Sequence, residues 1–391
     1  MKLPFEFGVK LIFRLIIPGF FLALGLLPIM NLILAWNGWS DQKEYVFGML
    51  IVFLGWLIVI SDMQIYMAME GRRFWPALVR DYFMRREERR LKDILEKVNI
   101  DDSAVCRRKT EYLKRYERRF ADSPLSLERK KELKRKREEI NKYLVKVRQI
   151  KAEAYFDVRN FPMTEEGEYQ IQFPSRLGNL LSAYEAYPTR IYGMDSVFYW
   201  YRLWLKADKD LREEIDNQQA VADSAVYASI ALFIAGGLWL FYALFATIQF
   251  HFASFYPGLF LKIPVSKVAL IQFLPRPPFL WLLSLLFIVM GYLIYRVSYR
   301  FHAQFGETFK SMFDISEGDD KSKRIDVTDI IKQVAEATGD PEFLQLARKD
   351  QLIVAWRYMQ FHRIRCLKCK ELLTLHQAKE HRCPVLLNSS S

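Results

Sequence analysis

Close to one end of the chain two cysteines stand two residues apart, Cys366 and Cys369, and His376, His381 and Cys383 follow within fourteen residues. Thiolate and imidazole are the donors that hold Zn²⁺ in a tetrahedron. A Cys-x2-Cys knuckle turns two thiolates toward one ion. Cys383 supplies a third ligand, and His381, or alternatively His376, supplies the fourth. The chain has only four cysteines, and the remaining one, Cys106, lies far away. In a reducing compartment such clustering reads as metal binding before disulfides. Four protein ligands leave no open position for a substrate, so the expected zinc is structural. The alternative is a metal-free tail with reduced cysteines.

A second group of reactive residues falls in or beside apolar segments. Asp62 is expected in the cytoplasmic half of a membrane span, where a carboxylate must turn away from lipid. It should face the bundle interior with a polar or cationic partner, Arg14 first among them. Such a pair is either structural or part of a conduction or proton-relay path. Asn31 is a further polar site within a span. Asp210, Glu213, Glu214 and Asp216 lie partly on one side of a helix. They read as a docking strip, as a cation-attracting ring at a pore mouth, or as an ordinary solvated face. No histidine accompanies them at metal spacing.

The elements that must position these groups are mostly membrane helices. Four apolar stretches, about Leu15–Trp36, Val46–Met67, Ala222–Ile248 and Phe279–Val297, each approach the roughly 20 residues that cross a hydrocarbon core. Pro18, Gly19, Gly25 and Pro28 are expected to kink the first. No small-residue cleavage site follows its apolar core, so it reads as a retained signal anchor. Ala231 and Ala235 form a small-xxx-small pair in the third, which is expected to be the best packed. Lys2, Lys10, Arg14, Arg72, Arg73, Arg80, Arg85, Arg86, Arg296 and Arg300 flank the spans on one side. Lys/Arg enrichment marks the cytoplasmic flank, so both termini and the central block are expected in the cytoplasm. Lys262, Lys267 and Arg276, between the third and fourth spans, run against that pattern.

Residues 71–150 hold 26 Lys/Arg and 14 Asp/Glu, an excess equal to the whole chain's net charge of +12. Their composition favours helix, and Ala121-Asp122-Ser123-Pro124 divides it, giving a basic, coiled-coil-like hairpin. Its partners are anionic inner-leaflet lipid or nucleic-acid phosphate. Interleaved acids such as Glu87-Glu88 and Glu138-Glu139 argue against a phosphate track, and a solvated hairpin rich in ion pairs is the plain alternative. Tyr169–Phe173 alternates like a short strand. The aromatics from Tyr184 to Trp204 form either an interfacial helix or a buried core. Val327–Ala337 and Glu342–His362 read as helices before the cysteine tail.

The expected fold is an all-α membrane protein, with four transmembrane helices in two hairpins, a mainly helical cytoplasmic domain and a small zinc-finger-like module. The expected domains are a first membrane hairpin (1–70), the basic helical hairpin (71–155), an aromatic and acidic neck (156–221), a second membrane hairpin (222–298), a helical region (299–362) and the zinc-binding tail (363–391). No phosphate loop, dinucleotide fingerprint, HExxH pair or nucleophile elbow occurs. The expected function is therefore a non-enzymatic, membrane-anchored cytoplasmic sensor or scaffold in the cell membrane, homo-oligomeric, with a cytoplasmic protein partner. The alternative is an oligomeric ion channel or pore gated by the cytoplasmic parts.

Overall fold

The computed structural model describes residues 12–100, 104–121, 127–164, 166–255, 276–318, 324–374, 377 and 381. In chain order the helices are α1 (Ile17–Trp36), α2 (Lys43–Ile60), α3 (Asp62–Glu70), α4 (Ala77–Val98), α5 (Ala104–Ala121), α6 (Leu127–Val158), α7 (Arg176–Tyr192), α8 (Ser196–Lys206), α9 (Lys209–Phe255), α10 (Pro277–Ser316), α11 (Thr328–Thr338) and α12 (Arg348–Phe361). A two-stranded antiparallel hairpin follows, β1 (Arg363–Arg365) with β2 (Leu372–Thr374). The chain divides into two compact units. One comprises the chain up to Met69 together with Trp200–Ile325, and the other comprises Glu70–Tyr199 with the chain from Asp326 onward.

In the first unit four helical segments are long and apolar enough to cross a membrane: Ile12–Trp36, Ser40–Ile60, Lys209–Ile248 and Pro277–Ser316. They match the four stretches expected from hydropathy. The first opens with a π-helical turn, Ile12–Ile16, and α1 then runs continuously through Pro28. The second is shorter than expected, because it ends at Ile60 and Asp62 opens the separate helix α3. The fourth runs 40 residues, about 60 Å at helical rise. That is roughly twice a hydrocarbon core, so α10 carries its polar second half well beyond any apolar slab.

Helices pack in lipid by close backbone approach rather than by hydrophobic expulsion from water. Glycines create that approach here. A Cβ at Gly19 would run into the Ile51 carbonyl, and one at Gly55 into the Leu15 carbonyl. A Cβ at Gly25 would lie 2.8 Å from Ala235 Cα. Ala231 and Ala235 are fully buried, and the third span has the largest buried share of the four, 44%. Its hydroxyls add polar contacts to α10. Ser229 donates to the Gly291 carbonyl at 2.9 Å, and Ser284 donates back to the Gly236 carbonyl at 2.9 Å. Tyr242 of α9 donates to the Gly25 carbonyl of α1 at 3.2 Å. Trp200 stacks on Phe309 with ring centroids 4.5 Å apart, so part of the aromatic stretch is core.

In the second unit α4 and α6 share a small core of Leu91, Ile94, Ala154, Val158 and Phe161. Lys109 of α5 lies over the Tyr143 ring of α6 at 3.7 Å, so three helices occupy the place of the expected hairpin. Tyr169–Phe173 forms no strand. Only Tyr169 bridges, antiparallel, to Met163. The Asn179 side chain takes the partner's place: it accepts from the Gln172 and Phe173 N–H groups at 3.0 Å each and donates to the Phe173 carbonyl at 2.8 Å. A backbone so satisfied needs no ladder. Tyr184 and Tyr199 are buried, and the Tyr199 hydroxyl donates to the Leu352 carbonyl of α12 at 2.8 Å. Arg72 pairs with Glu70 and with Glu185. Burial pushes the Glu70 carboxyl up to about 7 against the pull of that guanidinium.

The glycine contacts generate a paired test. Gly55→Leu must displace α1 and is expected to cost about 3 kcal/mol, read as a lower melting temperature in detergent. Gly48 has nothing within 4 Å of a built Cβ, so Gly48→Leu is expected to melt like the wild type. Equal melting of both variants would refute the close crossing.

Candidate metal centre and the polar clasp of the membrane helices

The hairpin β1–β2 presents the cysteine knuckle. Its register pairs Ile364 with Leu373, and both side chains are buried, which fixes one face of an otherwise exposed ribbon. Between the strands the Cys366 N–H donates to the Glu371 carbonyl at 2.9 Å, and the Lys370 N–H donates to the Cys366 carbonyl at 3.0 Å. Lys370 closes the turn with φ 62. The turn aims backbone N–H groups of Cys369 and Lys368 at the Cys366 sulfur. Burial pushes that thiol up, but these donors, with the Cys369 and His381 side chains, outweigh it and bring it down to about 7.

Cys366, Cys369 and His381 bring their ligand atoms within 4.8 Å of one another. Cys369 Sγ lies 3.3 Å from His381 Nε2. Metal bonds of about 2.3 Å to sulfur and 2.0 Å to nitrogen at a tetrahedral angle put those two atoms about 3.5 Å apart. The group can therefore hold a metal ion with little rearrangement. His381 Nδ1 faces the Glu371 carboxylate at 3.9 Å, the position of an orienting second partner. The other ligands expected from the sequence, His376 and Cys383, lie outside the described residues.

A polar cluster in the first unit joins segments that are distant in sequence. Arg14, in the π-helical turn, forms an ion pair with Asp223 of α9 rather than with Asp62. Tyr66 of α3 donates to the other Asp223 oxygen and lies 2.9 Å from His302 Nε2 of α10. Asp62, exposed at the start of α3, accepts instead from Tyr227 at 2.6 Å. Arg14 and Asp62 thus stand near one another's partners without pairing. Asn31 lies seventeen residues beyond Arg14, about 25 Å by helical rise, and takes no part.

Proton counting constrains this cluster. His302 Nδ1 lies 2.8 Å from the Ser298 carbonyl, which can only accept, so Nδ1 carries a proton. Tyr66 has one proton and two neighbours, Asp223 and His302. If it donates to Asp223, the contact to Nε2 is a hydrogen bond only when Nε2 is protonated too. If it donates to Nε2, the Asp223 carboxyl must carry the proton. Only if both contacts of Tyr66 are hydrogen bonds is one proton beyond those of Tyr66 and Nδ1 shared across the three groups. Asp223, Ser298 and His302 are all buried, so unpaired states are costly.

The acidic strip does not form one site. Asp216 accepts from Trp204 Nε1 at 3.3 Å, and Glu214 accepts from Gln218 at 2.7 Å. Asp210 and Glu214 are exposed, while Glu213 and Asp216 are half-buried. Asp223 was not among the residues singled out from the sequence. Its signal was its position, one residue inside the third apolar stretch and one helical turn before Tyr227. No protein-family model, curated protein or solved structure matches this chain.

Elemental analysis of the purified chain is expected to find about one metal equivalent, lost when Cys366 and Cys369 are both changed to Ser. The knuckle should loosen with it, since ligand binding supplies much of such a module's folding energy. A wild-type chain free of metal after purification without chelators would contradict the centre.

Proposed function

We propose that the chain is a multi-pass protein of the cell membrane that acts as a non-enzymatic, membrane-anchored cytoplasmic scaffold or sensor. Its termini, the basic helices α4 to α6 and the cysteine tail lie in the cytoplasm, in keeping with the Lys/Arg excess beside the spans. The tail's ion is zinc, a ligand field of thiolate and imidazole being the one zinc prefers. Cys383 completes it beside His381, with His376 the alternative imidazole, and the stapled hairpin presents a surface to a cytoplasmic protein. Copies associate through α2, the least covered span, with 17% of its apolar window buried.

The observation that carries this reading over a channel is the self-pairing of the polar groups between the helices. Arg14, Tyr66, Asp223 and His302 bond one another, and Asp62 is held by Tyr227. Groups committed in this way hold helices together, whereas a permeation path needs polar groups turned toward a wet lumen. The exposed carboxylates Asp210 and Glu214 in the first turns of α9 are what favours the channel.

Ion flux separates the two. Proteoliposomes containing the purified chain are expected to pass monovalent cations no faster than empty vesicles. Flux that rises with protein content and falls on Asp210→Asn with Glu214→Gln would establish the channel instead.

A further inference from the structure

The start of α4 combines exposed apolar side chains, a surplus of arginines over acids and a strained backbone. Phe74, Leu78 and Tyr82 are 71%, 86% and 60% exposed. Leu78 and Tyr82 are one turn apart on one face, and Phe74 precedes them at the same spacing. Phe74 also has φ 68, a left-handed conformation that bulky side chains adopt only under outside constraint. Among the described residues nothing covers its ring, which is 71% exposed.

Beside these residues lies a cleft of about 500 Å³ lined by Arg72, Arg80, Arg85, Asp81, Glu88 and Phe173. Arg72 is held by Glu70 and Glu185 and stacks over Phe173 at 4.5 Å. Arg80 has only the neighbouring Asp81, at 3.8 Å. Arg85 makes no ion pair with a described residue. Glu87 is buried and committed to Arg90. Arg73 and Arg86, outside the cleft lining, are exposed on the same segment.

We propose that the segment Phe74–Arg86 docks on the anionic surface of the membrane that the chain spans. Phe74, Leu78 and Tyr82 enter the headgroup and acyl boundary, and Arg80 and Arg85 take lipid phosphates in the cleft. An apolar edge flanked by arginines is the composition of an interfacial helix, and polybasic juxtamembrane segments are drawn to anionic leaflets. Continuity adds to this: thirteen residues separate Ile60, the end of the second span, from Phe74, and nine of the intervening residues are helix α3. Burial of the Phe74 ring in lipid supplies the constraint its backbone requires. The proposal rests on the reading that the apolar helices cross the bilayer.

Hydrogen exchange of the full chain in proteoliposomes tests it. The vesicles are phosphatidylcholine alone, or phosphatidylcholine with about one third phosphatidylserine. Amides of residues 74–83 are expected to exchange roughly tenfold more slowly with phosphatidylserine, and the slowing is expected to vanish at about 1 M salt, where screening reaches about 3 Å. The double change Arg80→Gln with Arg85→Gln should abolish it, while amides around Leu91 and Ile94 stay as in the wild type. If those core amides also open, the variant is misfolded and the wild type's salt dependence decides; slowing that persists in high salt overturns the proposal. Equal exchange in both vesicles overturns it as well. So does protection by inorganic phosphate in detergent without lipid, which marks a soluble-anion site, or protection in detergent that grows with protein concentration, which marks a second copy. Span amides protected in every vesicle leave the spanning reading intact whichever way this result falls.

Discussion

A single buried carboxylate, Asp223, ties the membrane helices together. It takes a guanidinium from the turn before α1 and a phenol from α3, and that phenol in turn contacts the imidazole of α10. An isolated charge in so dry a place costs several kcal/mol. None of the segments can therefore withdraw without stranding a charge or a donor. The glycine crossings at Gly19, Gly25 and Gly55 bring the backbones close but fix no register by themselves. The clasp fixes register, because its bonds close only when α1, α3, α9 and α10 stand at one relative height.

Much of this was legible in the sequence. The four apolar stretches were visible because a hydrocarbon slab imposes length and composition on anything that spans it. The cysteine knuckle was visible because metal geometry imposes spacing, and His381 does join Cys366 and Cys369. The pairing of Arg14 was not. Asp62 and Asp223 both lie at the same end of their spans, and a sequence carries no distance between α1 and its two possible partners. The choice was made by α3, whose separate start at Asp62 turns Tyr66 toward Asp223 and leaves Asp62 to Tyr227. The strand expected at Tyr169–Phe173 failed for a related reason. Alternation describes a face, but after the single bridge at Tyr169 the Gln172 and Phe173 N–H groups are taken by one side chain, Asn179, seven residues away from Gln172.

The two compact units use unlike means of cohesion. The unit with the four candidate spans is held by backbone proximity and a few strong polar bonds, the means by which apolar helices associate where lipid gives no hydrophobic reward for burial. The other unit has a modest apolar core between α4 and α6, a side-chain-capped turn at Asn179, and a hairpin beside which Cys366, Cys369 and His381 could hold a metal ion.

The most direct measurement is a double-mutant cycle on Arg14 and Asp223, with Arg14→Met, Asp223→Asn and the pair combined, read as unfolding free energy in detergent. Each single change should cost about 3 kcal/mol because it strands the other member. The double change should cost clearly less than the sum, with a coupling of about 2 kcal/mol. Additive losses, within about 0.5 kcal/mol, would show that the two side chains do not hold each other and would contradict the clasp.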